Sequence, residues 1–340
     1  MISKKFIGSA VAGALAVCGF AAGVEAQPRA LRPASLLAFP LFDSQPATAT
    51  VITVTNTNSD RTVCVDNDNL EVGDVRLHYV YYGAQQADLD AGIAAPWLEF
   101  DRYEDLTPAD TLTVIASSHN PEGEVGFLTV RALTPDTDEA IDFDYLIGSA
   151  YIANSDLDIL WCYIPYAFQG EGNGSTSTCG HELIDGPGSI FDGSSYSQFP
   201  DELYVDSFLM EEEGKFDNRL VLMSTSGQDY INEVDFLFWN NKEDRFSRTF
   251  KFVCWTSVEL SDVSAVASNL NGDPSEFARE TGWVYINGRR VLDLAGNPVT
   301  DGDFQYGPAL LGVFSQTVRI DFTAGHSLHF SGSQSASLPN

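Results

Sequence analysis

Lysine is scarce in this chain of 340 residues: after Lys4 and Lys5 only Lys215, Lys242 and Lys251 follow. With 18 Lys and Arg against 48 Asp and Glu, the formal net charge is -30. A field of that sign repels phosphate backbones and anionic lipid, which argues against nucleic acid or a membrane surface as a partner. Long apolar runs are missing as well. Beyond residue 26 nothing approaches the roughly 18 consecutive apolar residues of a membrane helix, so no membrane span is expected. Catalytic signatures are absent too. H-E-x-x-H and G-x-S-x-G do not occur, and neither does the strand–helix alternation that a nucleophile elbow requires. A non-catalytic protein is the expectation.

The N-terminus has the layout of a secretory leader. Lys4 and Lys5 precede an apolar run from Phe6 to Ala22, and Val24-Glu25-Ala26 is a small-x-small cleavage site. Residues 1–26 therefore read as a signal peptide cleaved near Ala26, placing the mature chain in the periplasm, on the cell surface or outside. A rival lies within the leader. Leu15-Ala16-Val17-Cys18 is lipobox-like and would give a lipoprotein anchored through Cys18, although Val17 stands where such boxes carry a small residue. The remaining cysteines are Cys64, Cys162, Cys179 and Cys254. An even number in an oxidising compartment implies disulfides, with three pairings open. Cys162–Cys179 is favoured because the two flank a short Gly/Ser-rich stretch, and Cys64–Cys254 then follows by elimination.

Helical periodicity is nearly absent, whereas period-two alternation runs through Val75–Tyr82, Val234–Phe238 and Phe250–Cys254. Such runs, bounded by Gly, Pro, Asn and Asp, predict antiparallel strands. The pattern occurs twice in the same order. Ser35–Phe42 matches Leu203–Met210, Ala49–Asn56 matches Arg219–Thr225, and Val75–Tyr82 matches Val234–Trp239. Leu106, Asp110 and Val114 match Val258, Asp262 and Val266. Glu124–Val130 matches Glu280–Ile286, and Leu146–Gly148 matches Leu310–Gly312. The fold class expected is all-β, with two tandem, internally duplicated antiparallel β-sandwich domains, Ig-like or jelly-roll-like, at 27–169 and 201–330. Residues 170–200 read as a Gly/Ser-rich linker or loop, 331–340 as a disordered tail, and Pro274–Glu280 as the one short helix. Gly126 and Gly282 read as structural residues serving strand entry or a bulge.

Candidate sites are few. Asp66, Asp68, Glu71 and Asp74 pack oxygen ligands into one turn, which makes calcium the candidate metal, although turns are rich in Asp and Asn for backbone reasons alone. Asp136–Glu139 is a second oxygen-rich turn. His326 and His329 read as separate surface residues, because on a strand or loop their spacing does not put both rings on one side as a helix would. Trp97 and Trp239 are the aromatics free to stack on a glycan, while Trp255 and Trp283 read as core. No other cofactor is implied.

Leu36–Asp43, Ile52–Asn56, the segment Leu98–Asp110 and Phe252–Trp255 together resemble uncharacterised exported β-rich proteins of environmental bacteria. That resemblance spans most of the chain after the leader and implies an exported β-protein, with no catalytic residue to carry over. The functional expectation is an adhesion, surface-layer or matrix role with an extracellular or envelope partner, protein or polysaccharide, and with edge strands open to self-association. A carbohydrate-binding or glycan-active module is the alternative.

Overall fold

Runs such as Val75–Tyr82 send successive side chains to opposite faces, and their β-branched and aromatic residues suit extended backbone. The computed structural model describes residues 32–85, 97–119, 124–155, 159–185, 190–209, 216–264, 267, 281–299, 307–318 and 322–337, and in it these runs form antiparallel strands throughout. The leader, Cys18 and the expected helix at 274–280 lie outside the described residues. No described helix is long and apolar enough to cross a membrane.

The first half contains β1 (Leu36–Asp43), β2 (Thr48–Asn56), the hairpin of β3 (Val63–Cys64) and β4 (Asn67–Glu71), then β5 (Val75–Gln85), β6 (Leu98–Leu106) and β7 (Thr111–Ile115). A single-turn helix α1 (Ala116–His119) leads to β8 (Glu124–Leu133), β9 (Leu146–Asn154), β10 (Ile159–Tyr163) and β11 (Tyr166–Phe168). After β12 (Ile190–Phe191), the second half contains β13 (Glu202–Leu209), β14 (Phe216–Ser224), β15 (Tyr230–Asn240), β16 (Arg245–Val253) and β17 (Trp255–Glu259). The single turn α2 (Leu260–Val263) precedes β18 (Thr281–Asp293), β19 (Leu310–Val318), β20 (Phe322–Ser327), β21 (His329–Ser331) and β22 (Ala336–Ser337).

The larger sheets run β11-β1-β8-β5-β6 and β21-β13-β18-β15-β16, and the smaller ones β10-β9-β2-β7 and β20-β19-β14-β17. Position for position, the two halves have the same strand order. The match extends to an irregularity. The β1–β8 ladder shifts register between Phe39 and Phe42, and the β13–β18 ladder between Val205 and Phe208, with Gly126 facing Phe42 and Gly282 facing Phe208. A Cβ on Gly126 would lie 1.9 Å from the Tyr82 carbonyl oxygen, and one on Gly282 would lie 2.7 Å from that of Trp239. Both glycines permit close approach of the neighbouring strand. Two expected matches are out of register: Phe42 stands where Phe208 does and not, as expected, where Met210 does, and Leu106 ends β6, whereas Val258 lies in β17, the counterpart of β7.

β14 and β19 show how the halves are joined. Leu220 and Leu222 of β14, with Leu310 and Phe314 of β19, face a core shared with Val205, Phe236 and Ile286 of the second half. Their neighbours Val221, Met223, Leu311 and Val313 instead join the core of the first half. The middle of β14 and of β19 is thus buried on both faces, one against β1. Strands covered on both faces need continuous apolar runs, and Leu-Val-Leu-Met at 220–223 is one. Tyr166 donates to the Gly312 carbonyl at 2.8 Å, and the Ser327 hydroxyl donates to that of Ile164. Trp255, 5% exposed, donates from Nε1 to the Pro40 carbonyl at 2.9 Å.

The segment 170–200 departs from linker behaviour, because it carries aromatic anchors. Phe191, Tyr196 and Phe199 are fully buried and pack in the first-half core, with Phe168 against Phe191 and Phe199. The expected tail is also packed as far as residue 337: β22 pairs with β12, and Gln334 and Phe199 exchange backbone hydrogen bonds. The disulfide joins Cys64 to Cys179, in place of the favoured Cys162–Cys179 pairing. The reason is topological. Residues 173–183 fold back on themselves, and His181 donates from Nε2 to the Val72 carbonyl at 2.6 Å, which brings Cys179 beside the β3–β4 hairpin. Cys162 lies in β10, outside this bond, and Cys254 is a buried thiol whose pKa burial pushes up to about 12.

The same packing draws carboxylates together. Burial, then Asp144, Glu171 and Glu182, raise the Asp142 pKa from 3.8 to about 6. A carboxyl raised in the fold favours folding in its protonated form, so its contribution is lost as pH rises from the unfolded value through about 6. Asp142→Asn is therefore expected to raise the melting midpoint by a few degrees at pH near 8 and to have little effect near pH 4, measured by thermal denaturation at both.

Candidate functional site

β6 and β16 occupy equivalent places. Each ends the larger sheet of its half, and among the described residues no further strand pairs with either. Each is nine residues long and mostly exposed. Their charges are opposite. β6 carries Glu99, Asp101, Glu104 and Asp105 with Arg102 alone against them, whereas β16 carries Arg245, Arg248 and Lys251 and no carboxylate. Arg290 lies across β15 from Lys251, both paired with Glu233, with Arg289 beside it in β18, a concentration of cations in an otherwise acidic chain.

The side chains around β6 leave its negative charge in place. The His78 Nδ1 accepts from Arg131 at 3.2 Å, so the proton sits on Nε2 and is donated to Asp101 at 2.6 Å. The His119 Nε2 faces Glu104 at 3.3 Å, and its Nδ1 accepts from the Tyr81 hydroxyl at 2.8 Å. Burial lowers the pKa of both rings despite these carboxylates, which keeps them neutral at pH 7. Burial and the nearby Asp101 raise the pKa of Glu99, as expected for crowded negative charge. Arg76 bonds both Asp105, at 2.7 Å, and Asp138 of the second oxygen-rich turn, at 2.9 Å.

Behind β16, Glu233 is 4% exposed and meets Lys251 at 3.2 Å, Arg290 at 2.8 Å and Arg289 at 3.4 Å. Burial pushes its pKa up, but hydrogen bonds from Arg290 and Lys251 outweigh this and hold it below the usual range. One buried carboxylate thus anchors three cations whose side chains are about half exposed, and the outward charge of this edge remains positive.

No protein-family model matches the chain, and no curated protein matches it. The site is therefore read from its own geometry.

The other sequence candidates fall elsewhere. Asp66 and Asp68 are exposed on the β3–β4 turn, Glu71 lies 3.5 Å from Arg61, and Asp74 accepts the Glu71 amide at 2.7 Å. These four carboxylates form no cluster of ligand atoms; two of them close backbone turns or pair with arginine. Trp97 packs at the junction of the halves, against Phe127 and Trp255. Trp239 stacks on Trp283 with centroids 4.0 Å apart, and Arg245 lies over Trp239 at 5.9 Å. Trp283, expected in the core, is 37% exposed. The stacked pair spends its inner ring faces on itself, so it forms no open aromatic row. Among the described residues, the group of His, Cys, Asp or Glu able to hold a metal is Asp206, His326 and His329. Sequence reasoning passed over this group because it placed both histidines on one strand. Leu328 instead carries the chain from β20 in the smaller sheet to β21 in the larger one.

Proposed function

We propose that this chain is an exported, non-catalytic structural protein of the cell envelope or extracellular matrix, built by duplication of one β-sandwich, which assembles with copies of itself through β6 of one molecule and β16 of the next. The opposite charge of the two equivalent sheet edges carries this reading. Edge strands present unpaired backbone groups to other chains, and charge on them decides which pairings are allowed. Two β6 edges repel one another, and so do two β16 edges. Only the mixed pairing is attractive, and because it uses two different surfaces it propagates as an open head-to-tail chain. The disulfide favours an oxidising compartment, and the matching strand order favours duplication.

The test is sedimentation velocity with electron microscopy at about 0.05 M and about 0.5 M salt, since screening shortens the reach of surface charge. The protein is expected to form linear oligomers at low salt that dissociate at high salt. Arg245→Glu with Arg248→Glu and Lys251→Glu should give monomers, as should Glu99→Lys with Asp101→Lys. Mixing the two variants should restore assembly, because each supplies the edge that the other has reversed. Monomers under every condition, or oligomers indifferent to both variants, would remove the proposal.

A further inference from the structure

We infer that Asp206, His326 and His329 form a binding site for a divalent first-row transition ion of the zinc type, clasping the two sheets of the second half. The inference is independent of the assembly reading.

The three residues come from three strands. Asp206 sits in the stretch of β13 where pairing with β18 shifts register, between Val205 and Phe208. Bulges of this kind re-aim side chains, and Asp206 is 56% exposed rather than turned into the core. His326 comes from β20 in the smaller sheet, and His329 from β21, which pairs with β13 in the larger. The crossing at Leu328, itself buried, brings the two rings to a centroid separation of 5.8 Å around one carboxylate.

The distances suit a metal better than hydrogen bonds. The His326 Nε2 lies 3.4 Å from Asp206 Oδ1, and the His329 Nε2 lies 3.5 Å from Oδ2. Charge-assisted N–H···O bonds are shorter, about 2.7–2.9 Å. Ligand atoms about 2.0–2.2 Å from a tetrahedral zinc stand about 3.3–3.6 Å from one another, which the two N···O distances match, each to a different oxygen of Asp206. The three ligand atoms all lie within 4.8 Å of one another.

The orientation of the His326 ring provides a second, geometric argument. Its Nδ1 is 2.9 Å from the Ser327 carbonyl oxygen. A carbonyl only accepts, so Nδ1 donates there, and Nε2 is the ring atom turned toward Asp206. A backbone carbonyl holding the far nitrogen of a histidine is also the usual outer support of a metal ligand. Two imidazoles and one carboxylate suit zinc, copper or nickel, whereas calcium prefers oxygen ligands throughout. Solvent reaches the site, with His329 65% exposed, leaving room for water to complete the coordination.

The experiment is calorimetric titration of the purified, EDTA-treated protein with zinc, together with visible spectroscopy of the cobalt form. One equivalent of zinc should bind, and cobalt should show the d–d bands of a low-coordinate nitrogen and oxygen site. Asp206→Asn and His329→Ala, both at exposed positions, should each weaken zinc binding by about tenfold or more and abolish the cobalt bands. Asp66→Asn with Asp68→Asn should change neither, which separates this site from unspecific uptake by an acidic surface. Circular dichroism checks that the variants are folded. Zinc binding that survives both site substitutions, or no binding by the parent protein, would overturn the inference and leave the trio as an ion-pair cluster.

Discussion

Trp255→Ala is expected to lower the unfolding free energy by about 3–5 kcal/mol, the usual cost of deleting a large buried aromatic. Its measurable sign is a lower denaturant midpoint, with Trp283→Ala as the comparison. The side chain is 5% exposed, packs on Trp97 and donates to the Pro40 carbonyl in the other half. Removing it opens a cavity at the junction and also leaves a buried carbonyl without its donor. Trp283, 37% exposed and stacked on Trp239, should cost less, about 1–2 kcal/mol, since it loses an aromatic pair at a partly solvated position and no junction contact. Equal losses in the two variants would mean that the junction is not part of the cooperative core.

Loss of the Cys64–Cys179 bond should be of comparable size. The cysteines are 115 residues apart in sequence. Closing a loop of ~100 residues stabilises by about 4.7 kcal/mol in the chain-entropy picture, and native bonds of this type are typically worth about 2–5 kcal/mol. Cys64→Ala with Cys179→Ala should therefore lower the urea midpoint clearly, and dithiothreitol should do the same to the parent protein. Dithiothreitol should leave the double variant unchanged, because Cys64–Cys179 is the disulfide found among the described residues. A further fall on reduction of the double variant would show that another bond carries part of the stability.

The strands were legible because alternation and turn residues report local geometry. Gly126 and Gly282 stand out in the sequence as matched glycines, and in the fold they lie opposite the register shifts of β1 and β13, where nothing larger fits beside the neighbouring backbone. The Leu220–Met223 run carried the signal of two-sided burial, but one run does not say what lies against its second face. The disulfide was not legible, since sequence proximity favoured Cys162 while the fold-back of residues 173–183 decided for Cys64. In 170–200 the abundant glycine and serine outweighed Phe191, Tyr196 and Phe199, the residues that settle its packing. His326 and His329 were misread for a related reason: a spacing rule for one strand does not apply where the chain changes sheets between them. Charge on β6 and β16 was visible, but that both are outermost strands is a property of the sheet order alone.

The double burial of β14 and β19 has a consequence for synthesis. A chain made from its N-terminus completes the first sandwich while the strands destined to cover its outer surface have yet to emerge. Until Val221, Met223, Leu311 and Val313 arrive, that surface stays wet and adhesive. The C-terminal sandwich has the reverse dependence, since its inner sheet has no second cover without its predecessor. Neither half is a spare part that can be cut out and expected to behave, and a nascent chain of this design must be kept from other chains until its last strands are released.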